Sequence, residues 1–146
     1  YATTKNWDQV TRIPPSSFLQ QLYLRCTQHA CALTLYQGKP TALITGGVHG
    51  YEKSGVQGAL LFLQTEAAEQ KYSSKWNLVV CPCISPWGYE TIQRWNPSAV
   101  DPNRSFMADQ KSCPAEESGF MVALIAQLKA EGLVTNWTCH IDLRKL

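Results

Sequence analysis

The chain is 146 residues long, 45% hydrophobic and 16% charged, with a formal charge of +2. That is enough for one domain with a real core, and the composition is that of a soluble globular protein. No block of like charge speaks for nucleic acid, and no apolar stretch approaches the roughly 20 residues of a membrane helix, so neither is an expected partner.

The N-terminal stretch YATTKNWDQV has no basic region followed by an apolar core, so the expected location is cytoplasmic. In IPPSSFLQQLYLRCTQHA, Pro14 and Pro15 precede Ser16 or Ser17 as an N-cap. Phe18, Leu19, Leu22 and Tyr23 follow at helical spacing, which predicts a helix with His29 solvated at its end. CALTLYQGKPTALITGG reads as strand, turn and strand, with Gly38-Lys39-Pro40 at the turn. The alternation in ALTLY suits a half-exposed strand, and the uniform TALITG a buried one. GVQGALLFLQTEAAEQKY is helical, with Leu60, Leu61 and Phe62 near its centre and Gln and Glu on the other side.

WNLVVCPCI is the next strand. Ser85 to about Cys113 follows as a long irregular segment, of the kind that is usually functional. PAEESGFMVALIAQLKAEG is a helix, with Pro114 at its start, acids in its first turn and Gly132 as its stop; LVTNWTCHIDL is a last strand. Strands alternating with helices predict an α/β domain with a largely parallel sheet, whose sites gather at the carboxyl ends of strands. Six cysteines, Cys26, Cys31, Cys81, Cys83, Cys113 and Cys139, are even in number. Those at 81, 83 and 139 lie in apolar runs, so buried free thiols are expected rather than a disulfide frame. Cys81 and Cys83 stand closer than the usual spacing of a structural zinc pair.

Two clusters carry chemistry. In TALITGGVHGYEKSG, Gly46 and Gly47 let the chain turn sharply as it leaves a strand, and Gly50 extends that freedom. His49 and Glu52, three residues apart, can then face one point. An imidazole and a carboxylate are suitable zinc ligands, although His-x-x-Glu alone also describes an ordinary surface loop. In SPWGYETIQRWNPSAVDPNRSF, Arg94, Asn103 and Arg104 fall on the same rim. Arginine offers a planar fork for a carboxylate and Asn a neutral donor; in the plainer reading Arg104 and Arg94 are solvated or pair with Asp101 and Glu90.

GGVHGYEKSG, VVCPCISPWGYE and DPNRSF occur in the same order as three segments of the zinc carboxypeptidases of the carboxypeptidase A/B type, and the chain resembles that family over most of residues 40–106. The resemblance implies a phosphorylase/hydrolase-like zinc carboxypeptidase fold, α/β with a mixed, largely parallel sheet flanked by helices. Residues 1–146 would form a single domain, the N-terminal part of the catalytic domain. It implies zinc as cofactor, with His49 and Glu52 as its first two ligands. Asn103 and Arg104 would grip the terminal carboxylate of a peptide substrate, and Arg94 would polarise the scissile carbonyl.

Pro86-Trp87-Gly88 departs from the family's Pro-Asp-Gly, and Pro102 and Ser105 from its Asp-Leu-Asn-Arg-Asn-Phe. Arg144 stands where the third zinc ligand, a histidine after Asp-Leu, is expected. His140 is the nearby alternative, set deeper in the strand, where a satisfied second-shell histidine is the plainer role. No glutamate matches the family's general base. Three functions compete on these residues: a zinc metallocarboxypeptidase, an aspartoacylase-like zinc amidohydrolase of acyl-amino acids, and an inactive module that binds peptide C-termini.

Overall fold

The apolar run TALITG becomes the buried centre of a sheet. The computed structural model describes residues 25–26, 29–30, 32–34 and 38–144, with side chains from residue 38 onward except at 67. Its strands are β1 (Arg25–Cys26), β2 (His29–Ala30), β3 (Ala32–Thr34), β4 (Thr41–Gly46), β5 (Asn77–Cys81) and β6 (Trp137–Leu143). The helices are α1 (Lys53–Glu69), α2 (Pro86–Thr91) and α3 (Glu116–Ala130). β1 and β2 pair antiparallel by themselves, and the other strands form one sheet in the order β3-β5-β4-β6. β4 runs parallel to both β5 and β6, and β3 runs antiparallel to β5. This is the mixed, largely parallel sheet that the resemblance implies.

Every residue of β4 and β5 is buried, because helices cover both faces of the sheet. Alternation along each strand divides the core. Ala42, Ile44, Leu78 and Val80 face one side and meet Ala59, Phe62 and Leu63 of α1. Leu43, Val79 and Cys81 face the other and meet Met121, Leu124 and Leu128 of α3. Gly132, at φ 68°, ends the segment that follows α3, as a stop glycine should.

Four local expectations are corrected. The helix read over 14–30 is not continuous, since residues 25–26 and 29–30 are paired strands and His29 sits in β2 rather than at a helix end; its earlier part lies outside the described residues. The irregular segment from Ser85 contains α2 and two 3-10 turns, Pro102–Arg104 and Gln110–Ser112, nucleated by Pro86 and by the Asp101 and Asp109 side chains accepting backbone N–H bonds. Leu61 is 63% exposed, because the face of α1 that meets the sheet runs through Val56, Ala59 and Leu63 instead. Cys81 and Cys83 are buried free thiols as expected, but Cys139 is exposed, since β6 pairs only with β4 among the described residues. Cys26 and Cys31 lie outside the residues whose side chains are described.

No described helix is long and apolar enough to cross a membrane.

Candidate metal centre

Parallel strands deliver their carboxyl ends to one edge, and the loops after β4 and β5 meet there. Gly47 leaves β4 at φ 61°, a left-handed backbone that favours glycine. Gly50 serves by closeness rather than by freedom: a Cβ on it would stand 1.7 Å from the backbone carbon of Gly88 in α2. The histidine loop is thereby pressed against α2, and Tyr51 N–H donates to the Gln93 carbonyl at 3.1 Å. This brings Arg94 beside the histidine.

His49 is 2% exposed and is held at both ring nitrogens. Its Nε2 meets Asp101 Oδ1 at 2.9 Å, and its Nδ1 faces Glu52 Oε1 at 3.3 Å. Glu52 is the N-cap residue of α1, yet its carboxylate caps nothing, and its Oε2 is buried with no hydrogen-bond partner among the described residues. A carboxylate at this position normally accepts from the first-turn N–H groups. Asp101 is the hub of the site. Its Oδ1 also accepts the Asn103 N–H at 2.9 Å, and its Oδ2 accepts from Arg94 Nε at 3.2 Å and Nη2 at 2.9 Å. Burial alone would raise the Asp101 carboxyl, but the hydrogen bonds from His49, Arg94 and Asn103 outweigh it and hold the group below the usual value. Arg94 is tied again by Nη1 to the Tyr51 hydroxyl at 3.3 Å, and the Tyr51 ring stacks on His49 with centroids 5.9 Å apart.

The donor set fits a metal. With Nε2–H donating to Asp101 Oδ1, Nδ1 of a neutral ring and Glu52 Oε1 are two acceptors facing each other. Only a proton or a cation between them resolves that arrangement. Two ligands bound at about 2.0–2.1 Å in a tetrahedron stand roughly 3.3 Å apart, the separation found. A carboxylate on the far nitrogen of a ligating histidine fixes its tautomer and raises its basicity. No group of three or more His, Cys, Asp or Glu side chains that could hold a metal is found among the described residues, so His49 and Glu52 are the two candidate donors.

The remaining residues lie apart from this pair. Asn103 turns its side-chain oxygen to Arg144 Nη2 at 2.8 Å, while Arg104 beside it is exposed and its side chain makes no hydrogen bond among the described residues. His140 Nε2 meets Thr45 Oγ1 at 2.9 Å, one strand residue pair inward from Asp142, and does not join His49 and Glu52. Sequence reasoning named Asp101 only as an arginine partner, which it is to Arg94, and left out its bond to His49 and the whole of Tyr51. The signal for Asp101 was its place before Pro102-Asn103, where an Asp starts a turn and is held with both oxygens at the loop's centre.

The fold is the α/β fold of zinc carboxypeptidase-like and aspartoacylase-type proteins. A protein of Shewanella denitrificans OS217 designated a metallopeptidase is similar at 26% identity with a TM-score of 0.58, over 77% of this chain and 42% of that one. The chain belongs to the family DUF2817, described as a protein of unknown function, which matches residues 39–132. Carboxypeptidase 2 of Trichophyton rubrum is 37% identical over 68 residues, 44% of this chain and 13% of that protein. The fold is shared with an aspartoacylase family protein of Mesorhizobium loti, at 19% identity and a TM-score of 0.58 over 78% of this chain and 33% of the other. The chain thus spans a small part of its curated relative and less than half of either solved structure.

Proposed function

We propose that this chain carries the metal-binding end of a zinc-dependent carboxypeptidase site acting on peptides with a free terminal carboxylate. The observation that carries the reading is the pair of facing acceptors, His49 Nδ1 and Glu52 Oε1 at 3.3 Å, with Glu52 Oε2 buried and unpartnered beside them. His49 and Glu52 would hold the ion. Zinc, when bound, acts as a Lewis acid and brings the pKa of its water to about 7.

The protein's own groups divide the other tasks. Asp101 keeps the proton on Nε2 and so leaves Nδ1 open to a metal. Arg94, fixed by Asp101 and Tyr51, supplies a permanent positive charge beside the centre, and such a charge counts most where an oxyanion develops. Asn103 and Arg104 supply carboxylate donors by resemblance, and neither nucleic acid nor a membrane has a part in this reading. Support comes from the ordered motifs, from the metallopeptidase designation of the Shewanella protein and from the carboxypeptidase name of the fungal relative. The shared fold with aspartoacylase-type proteins supports hydrolysis of acyl-amino acids to the same degree.

The test is zinc uptake by the whole chain, read by competition with a chromophoric chelator, followed by hydrolysis of a peptide, its C-terminal amide and a short acyl-amino acid. Stoichiometric zinc that is lost in Glu52→Gln supports the centre. Faster cleavage of the free-acid peptide than of its amide supports the carboxypeptidase reading, and cleavage of the acyl-amino acid alone moves the assignment to the amidohydrolase. Absence of zinc from the folded chain overturns both.

A further inference from the structure

We infer that the first turn of α3 is a positioning device for the metal centre: Glu117, through Asn96, and Ser118, through the Pro102 carbonyl, hold the chain on either side of Asp101 and so set the tautomer of His49. This role rests on the reading above for its purpose, but its first readout is the histidine ring itself and needs no metal.

The segment that carries Asp101 folds back on itself over residues 96–100, and Asn96 builds that fold. Its Oδ1 accepts the N–H groups of Ser98 and Val100, each at 3.0 Å. Its own N–H donates to the Val100 carbonyl at 2.9 Å, and its carbonyl accepts the Ala99 N–H at 2.9 Å. Ala99 is held at φ 59°, a backbone that an alanine keeps only where its surroundings impose it. One group of Asn96 reaches out of the fold: Nδ2 donates to Glu117 Oε2 at 3.3 Å. Asn96 and Glu117 are each only 8% exposed.

Beyond Asp101 the grip is repeated. Ser118, fully buried, donates its hydroxyl to the Pro102 carbonyl at 2.6 Å. Between the two grips, the Asp101 carbonyl accepts the Arg104 N–H at 3.1 Å and the Ser105 hydroxyl at 2.8 Å. Glu117 and Ser118 are consecutive, and both bond to the loop rather than to their own helix end, whose N-cap is Ala115. Buried polar groups are costly to leave unpaired, so the loop must follow the helix.

The same helix fixes the other half of the contact. Val48, next to His49, shares one core cluster with Met121, Leu124 and Leu128 of α3. α3 thus packs against the histidine loop and bonds to the aspartate loop, and it sets their separation. Asp101 Oδ1 lies 2.9 Å from His49 Nε2, so a displacement of about 1 Å takes the pair out of hydrogen-bond range.

The experiment uses the whole chain with Glu117→Leu, Glu117→Gln, Ser118→Ala and Ser118→Thr. It reads the ring 15N shifts of His49 without metal, zinc affinity by chelator competition, and denaturant melts alongside. A glutamine can still accept from Asn96, and a threonine can still donate to Pro102. In Glu117→Leu and Ser118→Ala the share of the Nδ1–H tautomer rises about tenfold and zinc binds about tenfold more weakly, while the Gln and Thr variants stay within about twofold of the wild type. Lower stability with an unchanged tautomer and unchanged zinc affinity is what a plain helix-to-loop staple would give, and it overturns the assignment. So does a shift as large in Gln as in Leu, or in Thr as in Ala. If Glu117→Leu does not fold, the loss of one hydroxyl at 118 decides. A wild-type chain that takes up no zinc but shows the tautomer shifts supports the positioning role and rejects only the metal reading.

Discussion

Asp101→Ala tests the logic of the metal centre most directly. Asp101 Oδ1 is the acceptor for His49 Nε2 at 2.9 Å, on a ring that is 2% exposed. A hydrogen bond to a charged acceptor contributes about 1.5–3 kcal/mol, so Asp101 favours the Nε2–H tautomer by roughly ten- to a hundredfold. Alanine at 101 leaves a buried N–H without its partner. The neutral ring escapes that cost by moving the proton to Nδ1, where Glu52 Oε1 waits at 3.3 Å. The position open to a metal is then closed, and zinc affinity falls about 10–100-fold, the usual effect of removing an outer-shell partner. Asp101→Asn is the control. Its amide oxygen can keep the His49 and Asn103 contacts while the amide nitrogen displaces Arg94, whose side chain is 35% exposed and free to swing into water. Ring 15N chemical shifts of the neutral histidine report the tautomer, and a competition titration reports zinc. Nε2–H is expected in the wild type and the Asn variant, and Nδ1–H in the Ala variant. An Ala variant that folds, keeps Nε2–H and binds zinc unchanged would refute the reasoning.

Ile92, the C-cap of α2, has φ 59° and ψ 43° and is 57% exposed, so a β-branched residue occupies a left-handed conformation with little burial to compensate. The strain is about 1–2 kcal/mol and the extra chain entropy of glycine returns part of it, so Ile92→Gly raises stability by roughly 0.5–1 kcal/mol, seen as a Tm increase of about 1–4 °C; a lower Tm would contradict it. Burial, with the Glu90 charge added, pushes the Cys83 thiol up from 9.0 to about 12. At pH 8 iodoacetamide therefore modifies the exposed Cys139 and spares Cys83, as peptide mapping would show. The same shift has a sign for stability: between pH 9.0 and about 12 the unfolded thiol loses its proton while the folded one keeps it, so stability falls as pH rises through that window, in denaturant melts of a Cys83→Ala control pair.

The sheet was legible because burial on two faces demands uniform apolar runs, and TALITG and NLVVC are such runs. α3 was legible because its start, its acids and its stop glycine are all local features. α2 was not, since six residues give too short a period to distinguish from loop, and its helix is set by Pro86 and by the press of Gly88 against Gly50. Leu61 misled because three consecutive apolar residues on a helix cannot all face the sheet, and only packing selects which do.

By itself the sequence determined the α/β class, the strand that ends in Gly-Gly and the nearness of His49 to Glu52, because three residues across one turn fix that distance locally. The tertiary structure alone decided that Asp101 takes the far nitrogen of His49, that Arg94 is tethered to both Asp101 and Tyr51, and that Asn103 turns its side-chain oxygen to Arg144. Those contacts join residues separated by up to 52 positions, and their partners are chosen by where parallel strands end in space, which no local spacing encodes.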